Sequence, residues 1–150
     1  MSRVLDYLLD HQQAMVQMVE QLVKLESPST DRTAVNALVG FLANAFAALG
    51  ADVERLPQVA FGDHLRIIWG HGDRQVLLLG HMDTVWPVGE VAHRPFQVGE
   101  DRDIGLQKGT GPGAFDMKGG LVVGLYAVTA LRDLGLMPAH RLVFLFNSDE

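Results

Sequence analysis

A chain of 150 residues, 48% hydrophobic and 20% charged, is long and apolar enough to bury a core as one globular domain. Twelve basic against eighteen acidic residues leave a net charge of −6 with no run of Lys or Arg, which argues against nucleic acid or a membrane surface as a partner. The sequence has no cysteine, which excludes disulfides, thiolate metal sites and a cysteine nucleophile, so any metal must be held by His and carboxylates.

The first 22 residues are interrupted by Asp6, Asp10 and Glu20 and lack the apolar core and cleavage site of a signal peptide, so a cytoplasmic protein is expected. No apolar stretch is expected to reach the roughly 20 residues that span a bilayer. From Leu5 to Leu25, the apolar residues Leu5, Leu8, Leu9, Met15, Val19, Leu22 and Val23 fall near a 3.6 period and predict one amphipathic helix. The segment SPSTD breaks it at Pro28 and offers Ser29, Thr30 and Asp31 as caps for a second helix. That helix carries Val35, Leu38, Val39, Leu42, Phe46 and Leu49 on one face and stops at Gly50.

Strand-like pieces follow at ADVERL from Ala51, LRIIW from Leu65 and QVLLLG from Gln75. The aliphatic run Val76 to Leu79 predicts an inner strand buried on both faces. Trp86 to Gly113 reads as loop with a hairpin through FQVGEDRDIGLQ, Lys118 to Leu134 as a helix apolar nearly all round, and LVFLF from Leu142 as a closing strand. These elements predict an α/β domain: a mixed, largely parallel sheet with helices on both faces.

In such sheets ligands sit at the carboxyl ends of the strands. Two apolar strands here end in chemistry, VLLLG in His81 and Asp83, and LVFLF in Asn147, Asp149 and Glu150. His81 and Asp83 are two apart, so in an extended segment both point to one side. A neutral imidazole can bind zinc through one nitrogen while a carboxylate holds the other; a strand-end His satisfied by a neighbouring acid has the same pattern. The stretch GTGPGAFDMKGG fails as a phosphate loop, because Asp116 stands where the last glycine of G-x-G-x-x-G belongs and no GK[ST] follows. It carries Asp116 to a helix start, either toward a metal or as an N-cap. One imidazole and several carboxylates at one edge suit a divalent ion such as zinc. His11, His64, His71, His93 and His140 are read as surface or structural, Trp69 and Trp86 as packing, and Lys118 as support for the helix start or the Asp116 loop.

Taken in order, LLLGHMDTV, GTGPGAFDMKGG and FNSDE resemble the M20 metallopeptidases, the group of glutamate carboxypeptidase, acetylornithine deacetylase, succinyl-diaminopimelate desuccinylase and aminoacylase. HMDTVWPVG and the GPG loop look most like the glutamate carboxypeptidase branch. The resemblance implies that His81 is a zinc ligand, that Asp83 orients its ring, that Asp116 bridges two zincs, and that Glu150 is the general base. It implies that the remaining ligands lie beyond Glu150, so that residues 1–150 would be the N-terminal portion of a catalytic domain without its lid and dimerisation domain. The expected cofactor is two Zn2+ per complete site, with Co2+ or Mn2+ as substitutes. The expected partner is a small-molecule or short-peptide substrate with a free carboxylate, and the full-length protein is expected as a homodimer. The implied reaction is hydrolysis of an amide bond in N-acyl amino acids or short peptides, and these 150 residues alone are expected to be inactive. Alternatives are a deacylase rather than a carboxypeptidase, or a non-catalytic metal or small-ligand binding domain on the same fold.

Overall fold

The 3.6 periodicity of the first third does produce helices, but in three pieces rather than two. A computed structural model describes residues 2–101, 103 and 105–150. Helix α1 (Arg3–Asp10) and helix α2 (Gln12–Lys24) are separated at His11, whose φ of −101° and ψ of 8° leave the helix. The His11 ring stacks on Tyr7 with centroids 4.0 Å apart and its Nδ1–H donates to the Tyr7 carbonyl at 2.8 Å, a side-chain competitor for a helical acceptor. Helix α3 (Arg32–Ala48) is capped by Asp31, which accepts from the Ala34 N–H at 3.0 Å.

Four strands form the main sheet: β1 (Asp52–Leu56), β2 (His64–Trp69), β3 (Gln75–His81) and β6 (Arg141–Asn147), in the order β1-β2-β6-β3. Between β3 and β6 come the short helix α4 (Glu90–His93), a hairpin of β4 (Gln97–Asp101) and β5 (Leu106–Thr110), and helix α5 (Gly119–Asp133). The hairpin is the expected one, paired from Gln97 with Thr110 to Asp101 with Leu106; Arg102 and Ile104, in its expected turn, lie outside the described residues.

The sheet is mixed, as expected, but not largely parallel. β3 pairs with β6 in parallel, whereas β1 with β2 and β2 with β6 are antiparallel. Consecutive strands β1 and β2 are joined by the short loop 57–63, which suits antiparallel pairing, while apolar content alone carries no strand direction. Nor is β3 an inner strand among the described residues. It lies at the sheet edge, with Leu77 53% and Leu79 67% exposed. The inner strands are β2 and β6, and in β6 Val143, Phe144 and Phe146 are buried.

Registered neighbours alternate faces, so Leu65, Ile67 and Trp69 of β2 share one face with Phe146, Phe144 and Leu142 of β6. Phe144 and Phe146 on that face meet Phe46 of α3 with ring centroids 5.2 and 6.0 Å away. Leu121, Leu125 and Val128 of α5 and Leu22 of α2 join the same core. Each fully buried Phe or Leu contributes about 1.5–3 kcal/mol. The long helices thus cover one face rather than both, and the face bearing Leu77 and Leu79 lacks a helix among the described residues. Gly124 lets α5 settle onto Phe144, since a Cβ there would lie 3.0 Å from the ring. The stretch Ala114–Asp133 is, by length and composition, apolar enough to cross a bilayer, contrary to the expectation from the sequence. Here its Leu121, Val122 and Val128 are buried in the core.

Candidate metal centre

Parallel pairing of β3 and β6 brings their carboxyl ends to one edge, with His81 opposite Asn147. The ladder continues one step, the Met82 N–H donating to the Asn147 carbonyl at 2.8 Å. His81 closes β3, and its two ring nitrogens face different partners. Nδ1–H donates to the Asp83 carbonyl at 3.0 Å, with the Asp83 carboxylate 3.5 Å away. Nε2 faces Asp116 Oδ1 at 2.9 Å and Glu150 Oε2 at 2.8 Å. The four residues singled out in the sequence are therefore brought together.

Each is held by its own element. Asp83 is 2% exposed; its Oδ2 accepts from Ser29 Oγ at 2.5 Å and from the Glu150 N–H at 3.2 Å, so the segment after β6 and the α2–α3 loop both grip it. Asp116 sits on a wide helical turn, Ala114–Lys118, in which it and Met117 leave helical angles and the Asp116–Met117 peptide is cis. No side chain caps α5, and the Asp116 carboxylate, 78% exposed, turns to His81 instead. Gly113 makes that turn feasible: its φ is +68°, and a Cβ would lie 2.6 Å from Thr84 Cγ2.

Burial pushes His81 toward the neutral form, but the Asp116 hydrogen bond, the Asp83 carbonyl and the charges of Glu150 and Asp83 outweigh it and raise its pKa. Two carboxylates converging on one imidazole nitrogen make a place that favours added positive charge. Ligand atoms from His81, Asp116 and Glu150 all lie within 4.8 Å of one another. With Nδ1 engaged by Asp83, Nε2 is the nitrogen left for a metal, and imidazole plus carboxylate oxygen without thiolate fits zinc or a similar divalent ion.

Lys118 does not reach this centre. It is 2% exposed, and its Nζ donates to the Leu25 carbonyl at 2.9 Å. Burial pushes its pKa down to about 8, with Glu26 pulling the other way. Asp149 turns away toward His64, 4.0 Å from its Nε2, while Ser148 bonds the Gly62 carbonyl and lies 3.2 Å from His64 Nδ1. The sequence reading missed Ser27 and Ser29 as supports of the site. Ser27 Oγ donates to the Met82 carbonyl at 2.8 Å, and the chain around Pro28 bridges Thr84 in parallel. The available signal was their spacing of two, which puts both hydroxyls on one side of an extended segment. Trp86, read as packing, borders the cleft, a cavity of about 240 Å³ that also includes His81, Asp83, Asp116 and Glu150.

Residues 77–150 match the family model described as Peptidase family M20/M25/M40. Carboxypeptidase G2 of Pseudomonas sp. (strain RS-16) is 35% identical over 144 residues, covering 94% of this chain and 33% of that protein. Beta-Ala-Xaa dipeptidase of Lactobacillus delbrueckii subsp. lactis is 31% identical over 117 residues, covering 77% of this chain and 23% of that protein. This chain thus spans a third or less of the length of these curated relatives. Among solved structures, human carnosine dipeptidase 1 superposes with a TM-score of 0.80 at 23% identity, over 97% of this chain and 34% of that one. The M20 family metallo-carboxypeptidase Sso-CP2 of Sulfolobus solfataricus gives 0.69 at 17% identity, over 89% and 30%. These two likenesses show the fold.

A mixed α/β sheet whose parallel pair delivers an imidazole and carboxylates to one edge, in a chain with peptidase relatives, places it in a class of peptidase-like α/β domains. More particularly, the chain belongs to peptidase family M20/M25/M40.

Proposed function

We propose that this chain supplies part of the catalytic site of a zinc-dependent amidohydrolase that cleaves N-acyl amino acids or short peptides in the manner of a carboxypeptidase. The observation that carries the reading is the convergence of His81 Nε2, Asp116 Oδ1 and Glu150 Oε2 at the end of a parallel strand pair. The likeness to a carboxypeptidase favours that reaction over simple deacylation.

His81 and Asp116 would hold the metal, and the exposed Asp116 would have a second carboxylate oxygen to offer another ion. When bound, zinc polarises the substrate carbonyl and brings the pKa of water toward about 7. Glu150 takes the proton of the attacking water and returns it to the leaving amine, as a carboxylate within hydrogen-bond reach can. Asp83 fixes the ring of His81, so that Nε2 is presented at a constant angle.

Glu150 Oε2 lies as close to Nε2 as Asp116 Oδ1 does, which also favours Glu150 as a third ligand. Glu150→Gln in the intact protein decides between the two roles. As the base, its loss lowers kcat by about 10²–10⁴-fold with metal content unchanged; as a ligand, its loss removes metal together with activity. Full metal binding by the double variant His81→Ala, Asp116→Ala would overturn the centre itself. Unchanged turnover by Glu150→Gln would overturn both roles for that residue, and absence of amide hydrolysis by the intact, metal-loaded protein would leave a binding domain as the better description.

A further inference from the structure

The metal-site cleft, about 240 Å³, is open and adjoins two neighbouring hollows. A substrate longer than its reacting group has these hollows to extend into. One neighbour, about 360 Å³ beyond His81 and Glu150, is walled by Leu79, Leu145 and Met117 and offers no cation. The other, about 390 Å³, shares Trp86 and Gly111 with the metal cleft and is lined by His93, Arg94 and Pro112 with no carboxylate.

Arg94 is presented there in a fixed attitude. Its guanidinium lies 4.7 Å over the Trp86 ring, and Nε pairs with Glu90 at 2.8 Å. These are its only side-chain partners among the described residues, which leaves both terminal nitrogens of the fork available. The segment carrying it is anchored. Glu26 accepts from the Gly89 and Val91 N–H groups at 2.8 and 2.9 Å, and the Val91 bond, against the pull of burial, holds its pKa below the usual carboxylate range. Buried Lys118 holds the preceding Leu25 carbonyl from the other side.

We propose that this hollow is a carboxylate subsite: the free fork of Arg94 binds a carboxylate of the substrate, and Trp86 forms the wall between that carboxylate and the metal centre. A planar guanidinium with two parallel N–H donors matches a carboxylate bidentately, and a face already stacked on an aromatic ring loses little freedom in doing so. This assignment rests on the amidohydrolase reading for its substrate, but its test does not need turnover. Binding of glutarate to the zinc-loaded intact protein is measured by calorimetry for the native protein, Arg94→Met and Arg94→Lys, at low and high salt. The expected result is an affinity about tenfold weaker in Arg94→Met, since an exposed charged hydrogen bond falls at the low end of its range. Arg94→Lys should be intermediate, and the native salt dependence should diminish in Arg94→Met. Absence of glutarate binding to the native protein, an unchanged affinity in Arg94→Met, or a loss with the salt dependence intact would overturn the subsite. Arg94-dependent binding without amide hydrolysis would instead remove the proposed reaction and leave the subsite standing.

Discussion

At the scale of single residues, the centre depends on groups that never touch a metal. Asp83 is buried, and Ser29 supplies one of its few donors, so Ser29→Ala leaves a carboxylate short of a partner 3.5 Å from the His81 ring. Partners of this kind typically govern metal affinity by about 10–100-fold. Ser29→Ala is therefore expected to weaken metal binding by about that factor, measured by competition with a chelator; unchanged affinity would show that Asp83 needs no such support. The residues with chemistry were readable because each stands at a strand or helix boundary in an unusual setting. Ser29 was not, because a Ser after Pro before a helix reads equally well as a cap, and Asp31 performs that role. Trp86 was missed for a related reason: the ring's place beside the cleft is set by a loop whose course local periodicity does not encode.

At the scale of elements, helices and strands were legible in type and order, while pairing direction and strand position were not. Val76 to Leu79 shows why, since an apolar run records burial in general and cannot say from which chain segment the cover comes. Helix packing is more local. Gly124→Val drives a branched side chain into Phe144, which Phe46 and Phe146 already confine. It is expected to destabilise the fold by about 1–3 kcal/mol in chemical denaturation. Helix α1 is tied to α5 by the Tyr7 hydroxyl, which donates to Asp133 at 2.6 Å. Burial, then this bond and the Asp133 charge, push Tyr7 up to about 12, while the Tyr7 bond and Arg132 hold Asp133 below its ordinary 3.8. A raised Tyr7 pKa means stabilisation complete below pH 10 and lost as pH rises through about 12; a lowered Asp133 means stabilisation present above 3.8 and lost as pH falls further. Amide protection in α1, taken relative to the intrinsic exchange rate at each pH, should therefore fall towards both extremes, and Tyr7→Phe should flatten that dependence. Exchange in α1 that is unaffected by Tyr7→Phe would show that the bond does not hold the helix.

At the scale of the whole molecule, the edge strand β3 presents backbone that is unpaired among the described residues, together with Leu77 and Leu79. An apolar edge of this kind is a template for another chain. The 150 residues expressed by themselves are expected to self-associate at micromolar concentration, and Leu77→Lys with Leu79→Lys to suppress it, as sedimentation velocity would report; a native chain that stays monomeric would refute this. The same parallel pair that makes the centre also dictates when it can exist. Asp83 meets Ser29 across 54 residues and Glu150 across 67, so beyond the local His81–Asp83 contact the site cannot form from neighbouring sequence. Closing such loops costs entropy before any contact returns it, and folding slows as contacts become more distant in sequence. Helices in this chain can appear early in refolding, and the capacity to capture a metal should lag behind them, arriving only when β6 docks beside β3. Under the proposed function, metal capture would be a clock for the last step of folding, and its delay relative to helix formation would measure how long the chain exists as scaffold without a centre.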